Sequence, residues 1–169
     1  MLKYVTPLLI TSSLVLAGCA KKAPEELPPA PAGTSEPTAP PPPSGPGYSP
    51  GSQGDFMANT MSDRILFELD SYTVDSEDQT ILRSQAQWLA QYPNARITIE
   101  GHADERGTRD YNLALGERRA NAAKNYLASL GVSPARMTTV SYGKERPEAL
   151  GSNEAAWAQN RRAVTIVID

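Results

Sequence analysis

The chain has 169 residues and a mass of 18.2 kDa, which is enough for one domain of ordinary size and too little for a multidomain enzyme. Sixteen Lys and Arg residues face nineteen Asp and Glu residues, and the resulting net charge of −3 gives no general attraction to nucleic acid. A single Cys and a single His exclude a disulfide framework and disfavour a protein-only zinc site. We therefore expect no metal and no cofactor, and a function that depends on carboxylates, arginines and amides.

The first 18 residues predict a signal peptide. Lys3 precedes an apolar run from about Leu8 to Leu16, which is shorter than the ~20 residues that a membrane-spanning helix needs. The tetrapeptide Leu16-Ala17-Gly18-Cys19 is similar to the bacterial lipobox, in which cleavage leaves the Cys as the lipid-modified first residue. We expect residues 1–18 to be removed and Cys19 to carry the lipid, because several acyl chains on one residue anchor a protein stably in a membrane. The alternative is an unmodified thiol behind an ordinary signal peptide.

Residues 19–54 predict a disordered tether. Eleven of the fifteen prolines lie between Pro24 and Pro50, and Tyr48 is the only aromatic residue of that stretch. Such a composition cannot bury enough apolar surface to offset the entropy of ordering the chain. A disordered or polyproline II segment therefore precedes the folded domain, which we expect over residues 55–169.

The rest of the chain alternates between strand and helix patterns. Runs with a period of two predict strands, and apolar residues spaced by three and four predict amphipathic helices. The predicted strands are residues 65–70, 96–100, 137–142 and 163–168, and the two main predicted helices are residues 76–92 and about 111–130. This βαβαββ order predicts an α/β two-layer sandwich, in which a small mixed sheet carries two helices on one face.

Single residues set the expected element ends. Asp75 or Ser76 is the expected N-cap of the first helix, and Pro93 should stop that helix. Gly101 is expected to break the second strand, so that a polar loop runs over residues 102–110. Gly131 is well placed to close the second helix. A further helical turn is expected at about residues 154–158, between the last two strands.

Asn112 and Arg119 are seven residues apart on the second helix and therefore share one of its faces, at the flank of the apolar stripe. An Arg in that position loses hydration and needs an acceptor. Nearby candidates are Asp70, Asp104 and Glu105. Two interpretations are open. The groups could bind a zwitterion, with an ammonium on the carboxylates and a carboxylate on the Arg, or an internal Asp104–Arg119 salt bridge could join loop to helix.

Four segments of the chain resemble the OmpA-like domain family. They are Gly101–Arg109 (GHADERGTR), Tyr111–Ala120 (YNLALGERRA), Ser141–Glu145 (SYGKE) and Asn160–Val164 (NRRAV). The resemblance extends over about residues 65–168. In its lipid-anchored members the family implies non-covalent binding of peptidoglycan through the meso-diaminopimelate of the stem peptide. The chain departs from the broader family at Ala103 and Gly116, where Thr and Ser are common.

The resemblance also implies particular binding residues. The principal ligands match Asp104 and Arg119, and a further Asp matches Asp70. Contacts from the loop and the start of the helix match, in addition, Thr108, Asn112 and Leu115. The free end of diaminopimelate carries one ammonium and one carboxylate, so the resemblance favours the zwitterion site over the internal salt bridge.

The implied partners lie in the cell envelope. The resemblance implies contact with Tol proteins, notably the periplasmic TolB, in the Tol-Pal system that draws the outer membrane inward at cell division. We expect a lipid anchor in the outer membrane, because Ala20 follows Cys19 in place of the Asp that retains enterobacterial lipoproteins in the inner membrane, and a domain that faces the periplasm.

Two rival functions remain. A lytic enzyme could use Glu100, Asp104 and Glu105, because glycosidases act through paired carboxylates. Against an enzyme, the chain contains no nucleophile elbow, phosphate-binding loop or zinc-protease motif. The second rival is a purely structural lipoprotein that docks proteins and not the wall. His102 is expected to pack or hydrogen-bond within its loop, since the chain offers no second His and no nearby Cys as a co-ligand.

Overall fold

The computed structural model of the protein describes residues 47–168. The expected signal peptide, the lipidated Cys19 and the tether up to residue 46 lie outside the described residues. The described part contains the helices α1 (Gln53–Asn59), α2 (Ser76–Gln91), α3 (Arg109–Ser129) and α4 (Glu154–Asn160) and the strands β1 (Arg64–Leu66), β2 (Arg96–His102), β3 (Met137–Gly143) and β4 (Arg162–Ile168). Within residues 47–168, no helix combines the length and the apolar character needed to cross a membrane.

The strands form one mixed sheet in the order β1-β4-β2-β3. β4 runs antiparallel to both β1 and β2, whereas β2 and β3 are parallel and are connected through α3. In the inner strand β2, Ile99 lies opposite Thr165 of β4 on one side and Thr139 of β3 on the other. The predicted βαβαββ order and the α/β two-layer sandwich are thereby confirmed.

The core lies between the sheet and the helices that pack on one of its faces. Its most deeply buried aliphatic residues are at most 1% exposed: Ile65, Leu82, Leu89, Ile97, Ile99 and Leu127. Burying one such side chain stabilises the fold by about 1.5–3 kcal/mol. These residues lie on β1, β2, α2 and α3. Because one core holds all four elements, it also fixes the positions at which the loops between them begin.

Helix α1 joins this core from the N-terminal side. Phe56 is fully buried and meets the ring of Trp88 edge-on, with 5.0 Å between the ring centroids. The carboxylate of Asp55 accepts hydrogen bonds from the Trp88 indole and from the Gly51 N–H, each of 3.1 Å. The folded part thus includes residues on the N-terminal side of the expected domain start at residue 55.

Two predicted strand ends are wrong. The first strand stops at Leu66 and does not reach residue 70, because residues 69 and 70 form a turn in which Asp70 adopts a left-handed φ of 57°. The second strand does not break at Gly101 but continues to His102, since Gly101 pairs with both Ser141 and Ala163. The expected polar loop therefore starts after His102. The other predicted strands agree with β3 and β4 to within one residue.

Asp75, one of the two predicted alternatives, is the N-cap of α2. Its carboxylate accepts hydrogen bonds from the N–H groups of Glu77 (2.8 Å) and Asp78 (2.9 Å), and the Asp78 side chain accepts from the Asp75 N–H in return. We expect Asp75→Ala to lower the free energy of unfolding by about 1 kcal/mol in urea denaturation, because the first turn loses its acceptor. The neighbouring Ser76→Ala should change it by less than about 0.5 kcal/mol. Equal effects of the two substitutions would contradict this account of the cap.

Candidate functional site

A cleft of about 300 Å³ opens where the loops after β1 and β2 meet the first turns of α3. It is lined by Leu69, Asp70, Asp104, Arg106, Gly107, Tyr111, Asn112, Leu115 and Arg119. Five of the six binding residues that the resemblance implies are in this lining, and Thr108 is not. The fold therefore gathers residues from three separate segments of the chain into one concave surface.

Arg119 forms the floor of the cleft and is fully buried. Its guanidinium donates hydrogen bonds to three main-chain carbonyl oxygens, those of Ser71 (2.8 Å), His102 (2.8 Å) and Glu68 (3.1 Å). These bonds join the loop after β1 to the end of β2. Three of the five N–H groups of the guanidinium are used in this way, and the other two have no acceptor among residues 47–168.

The guanidinium of Arg119 has no ion-pair partner among residues 47–168. Burial, helped by the nearby charge of Arg161, lowers the pKa of Arg119 to about 10, although the carboxylates of Asp104 and Asp70 act in the opposite direction. The side chain stays charged at neutral pH. A cation that has already lost its water and lacks a counter-ion is a strong attractor for a ligand carboxylate.

Asp104 is paired with Arg106 and not with Arg119. The Arg106 guanidinium donates to both carboxylate oxygens, at 2.6 Å and 3.1 Å, and Arg161 approaches to 3.6 Å. Burial alone would raise the pKa of Asp104, but the hydrogen bonds and charges of the two arginines hold that pKa below its ordinary value. The internal Asp104–Arg119 salt bridge, which the sequence left open, is therefore wrong.

Asp70 supplies an exposed carboxylate at the rim of the cleft. Its Oδ1 accepts a 2.8 Å hydrogen bond from the hydroxyl of Tyr111, and this bond raises the pKa of the tyrosine. The left-handed backbone of Asp70 is an uncommon conformation that Asp tolerates better than most residues. The tyrosine and the turn together fix where this negative charge lies.

Two of the implied binding residues, Thr108 and Asn112, form hydrogen bonds that hold the loop after β2 and the start of α3 in place. The Thr108 hydroxyl caps α3 by accepting from the Tyr111 N–H at 3.3 Å. The buried amide of Asn112 donates to the carbonyl oxygen of Arg106 at 2.7 Å and so holds the loop after β2. Leu115 is 4% exposed and contributes apolar surface to the cleft.

Sequence reasoning missed Arg106 and Tyr111 as parts of the site. Both lie inside the segments that carry the family resemblance, but neither stood out as charged or polar at a buried position. One signal was available for Arg106, because its position two residues after Asp104 in a loop allows a local side-chain pair. Tyr111 depends on a contact with a residue 41 positions away, for which the sequence holds no comparable signal.

The carboxylates that could have served a lytic enzyme have separate partners. Glu100 lies 3.6 Å from His102, Asp104 is held by Arg106, and Glu105 accepts from the Trp157 indole at 3.0 Å. Only Asp104 of the three lines the cleft. Within residues 47–168, no group of three or more His, Cys, Asp or Glu side chains is arranged to hold a metal ion.

His102 lies behind the site, 1% exposed and stacked on Tyr142. Burial, together with the charges of Arg162, Arg146 and Arg64, lowers the pKa of His102 to about 4. Between about pH 4 and pH 6.5 the imidazole of His102 is therefore protonated in the unfolded chain but neutral in the folded one. The full stability of the fold is present above pH 6.5, and part of it is lost as the pH falls through this window.

We accordingly expect the free energy of unfolding to fall by about 1–2 kcal/mol between pH 7.5 and pH 5. Urea denaturation at the two pH values measures this difference. His102→Gln, which cannot titrate, should remove most of it. An equal pH dependence of the wild type and this variant would assign the effect to other groups.

Comparison with known proteins agrees with this fold. A sequence profile described as the OmpA family matches residues 66–161, which is more than half of the chain. The peptidoglycan-associated lipoprotein of Rhizobium meliloti (strain 1021) is 52% identical over 158 residues, covering 94% of this chain and 84% of that protein. The protein of the same name from Brucella melitensis biotype 1 is 57% identical over 119 residues, covering 70% of each chain.

Solved structures show the same architecture. The crystal structure of the peptidoglycan-associated lipoprotein from Burkholderia pseudomallei aligns with a TM-score of 0.63 at 46% identity, covering 68% of this chain and all of that one. The C-terminal domain of Helicobacter pylori MotB aligns with a TM-score of 0.58 at 21% identity, covering 63% of this chain and 84% of that one, and shares the fold alone. The chain belongs to the OmpA family and, within it, to the peptidoglycan-associated lipoproteins.

Proposed function

We propose that this protein binds peptidoglycan non-covalently through the meso-diaminopimelate residue of the stem peptide. The observation that carries the proposal is the buried, unpaired cation of Arg119 on the floor of a cleft whose rim holds the exposed carboxylate of Asp70. The free end of diaminopimelate has the matching pair of charges, a carboxylate and an ammonium. The relatives' name, peptidoglycan-associated lipoprotein, points to the same polymer.

The ligand carboxylate would accept from the two N–H groups of Arg119 that the main chain leaves free. The ammonium would bind between the carboxylates of Asp70 and Asp104, which line the same cleft. Leu69 and Leu115 supply apolar surface for the methylene groups between the charged ends. This is recognition without chemistry, and we assign no catalytic residue.

By binding peptidoglycan, the protein would tether the cell wall to the outer membrane. In this proposal Cys19 carries the acyl chains, including palmitate, that hold the protein in the outer membrane, and the folded domain faces the periplasm. Contacts with TolB and other Tol proteins would place it in the Tol-Pal system, which maintains the envelope and draws the outer membrane inward at cell division. These partners are proposed from family membership.

Titration of the full chain, purified in detergent, with two muropeptides tests the wall-binding proposal. One muropeptide carries meso-diaminopimelate, and the other carries lysine, which has the ammonium but lacks the second carboxylate. We expect the first to bind at least about tenfold more tightly, since only it can pair with Arg119. Equal affinities, or no binding of either, would contradict the proposal.

The same preparations distinguish binding from lysis. Incubation with isolated peptidoglycan should sediment the protein with the wall and release no new muropeptides into the supernatant. Release of soluble fragments would favour the lytic enzyme. A protein that stays in the supernatant with an intact wall would favour a lipoprotein that contacts only proteins.

A further inference from the structure

We propose that Arg106 is an internal competitor of the ligand ammonium for Asp104. In the free protein its guanidinium occupies the carboxylate, and ligand binding breaks this pair. Arg106 then lowers the affinity of the cleft for the ligand. This inference rests on the proposed function, because it names how the same cleft receives an ammonium.

The carboxylate of Asp104 is not free to receive a ligand in this structure. Its Oδ2 accepts from Arg106 Nη2 at 2.6 Å, and its Oδ1 accepts from the Nε at 3.1 Å and from the Arg106 N–H at 3.0 Å. Asp104 is itself 5% exposed. An incoming ammonium can therefore reach this carboxylate only if the guanidinium moves away.

The backbone of this loop is held in place. Asn112 donates to the carbonyl oxygen of Arg106 at 2.7 Å, while the ammonium of Lys144 donates to the carbonyl oxygens of Glu105 (3.1 Å) and Gly107 (2.7 Å). Three successive carbonyl groups are thus fixed from two sides. Space for a ligand must then come from rotation of the Arg106 side chain and not from movement of the loop.

In the same position in which it pairs with Asp104, the guanidinium has further contacts. Arg106 lies over the ring of Trp157, 4.0 Å from its centroid, and 3.9 Å from a carboxylate oxygen of Glu154. Its side chain is 34% exposed, so the displaced charge keeps water on one side. The indole of Trp157 is anchored by its 3.0 Å hydrogen bond to Glu105. The cation–π contact and Glu154 can retain Arg106 after it leaves Asp104.

The exchange conserves charge at the buried carboxylate. An ammonium replaces a guanidinium, so Asp104 is not left without a cation, and Arg161 lies 3.6 Å from it in this structure. Leaving a buried carboxylate unpaired would be costly, and an exchange of cations avoids that cost. The affinity of the cleft is then reduced by the strength of the pair that must be broken.

The experiment is a calorimetric titration of the full chain in detergent with the diaminopimelate muropeptide. We expect Arg106→Gln to bind it about fivefold more tightly than the wild type, which corresponds to the loss of one partly exposed competing ion pair. Arg106→Lys should fall between the two, because Lys still competes but cannot bond in two places. The matched control is Arg109→Ala, which removes an exposed Arg paired with Glu145 and should leave the affinity within about twofold.

A second readout follows the guanidinium itself. Tryptophan emission of the wild type should change on binding, because the guanidinium above Trp157 shifts when its pair with Asp104 breaks. The change should be absent in Trp157→Phe and in Arg106→Gln. Trp88, on α2, is buried against α1 and should not respond. Weaker or unchanged affinity of Arg106→Gln, or constant Trp157 emission, would overturn the role of Arg106 while leaving wall binding intact. No binding by the wild type would overturn both.

Discussion

Replacing Arg119 with Ala should abolish binding of the diaminopimelate muropeptide, with an affinity loss of at least about 30-fold. The substitution removes the buried cation of the cleft floor, so the ligand carboxylate would enter the site without its partner. It also leaves the carbonyl oxygens of Glu68, Ser71 and His102 without their donor. Calorimetric titration and thermal unfolding of the same preparation measure the two effects.

The substitution is also expected to lower the stability of the fold. Unpaired buried carbonyl groups cost free energy, but removal of a buried charge returns part of its desolvation cost, so we expect the free energy of unfolding to fall by about 2–3 kcal/mol. Arg119→Lys keeps a cation but cannot reach three carbonyl groups and two ligand oxygens together. It should remain folded and still lose at least about tenfold in affinity.

The control for Arg119 lies next to it in the chain. Arg118 points to solvent, with its guanidinium 6.0 Å from the ring of Tyr72, and Arg118→Ala removes the same formal charge from the same helix. It should change the free energy of unfolding by less than about 0.5 kcal/mol and the affinity by less than about twofold. An affinity of Arg119→Ala equal to that of Arg118→Ala would remove Arg119 from the site.

Elements whose signals are local could be predicted from the sequence. The Asp75 cap and the C-terminal ends of both main helices depend on residues within a few positions of one another. The burial of Arg119 also followed from its place at the flank of an apolar stripe. These predictions succeeded because helix periodicity and capping act over one or two turns of the chain.

The partners of Arg119 could not be predicted, because they are main-chain carbonyl groups. Every residue carries one, so nothing in the sequence marks those of Glu68, Ser71 and His102 as acceptors. The sequence suggested a carboxylate instead and offered Asp104. In the structure Asp104 pairs with Arg106, and this pairing depends on side-chain rotamers in a loop and on the position of Arg161.

The error at Gly101 has a different physical origin. Gly weakens an isolated strand, which is why the sequence predicted a break, but here both neighbouring strands pair with it. The tertiary reason for Gly is close approach: a Cβ at this position would overlap the carbonyl oxygen of Gly116 in α3. Two glycines 15 positions apart thus let α3 lie directly on β2, a contact that no local pattern reveals.

This contact leads to the second large prediction. Gly101→Ala should lower the free energy of unfolding by at least about 3 kcal/mol, because the overlap is with backbone and cannot be relieved by rotating a side chain. Relief requires α3 to move away from β2. That movement would lengthen the 2.8 Å hydrogen bond between Arg119 on α3 and the His102 carbonyl on β2, so the folded fraction should also bind the muropeptide more weakly.

Thermal unfolding combined with titration at low temperature, where the variant is still folded, separates these two consequences. Gly47→Ala is the matched control, because an added Cβ there meets no atom within 4 Å and the stability should stay within about 0.5 kcal/mol of the wild type. Wild-type stability of Gly101→Ala would mean that α3 and β2 are not in direct backbone contact. A destabilised variant with unchanged affinity would mean that the position of Arg119 does not depend on this contact, and the cleft would then be held by the loop after β1 alone.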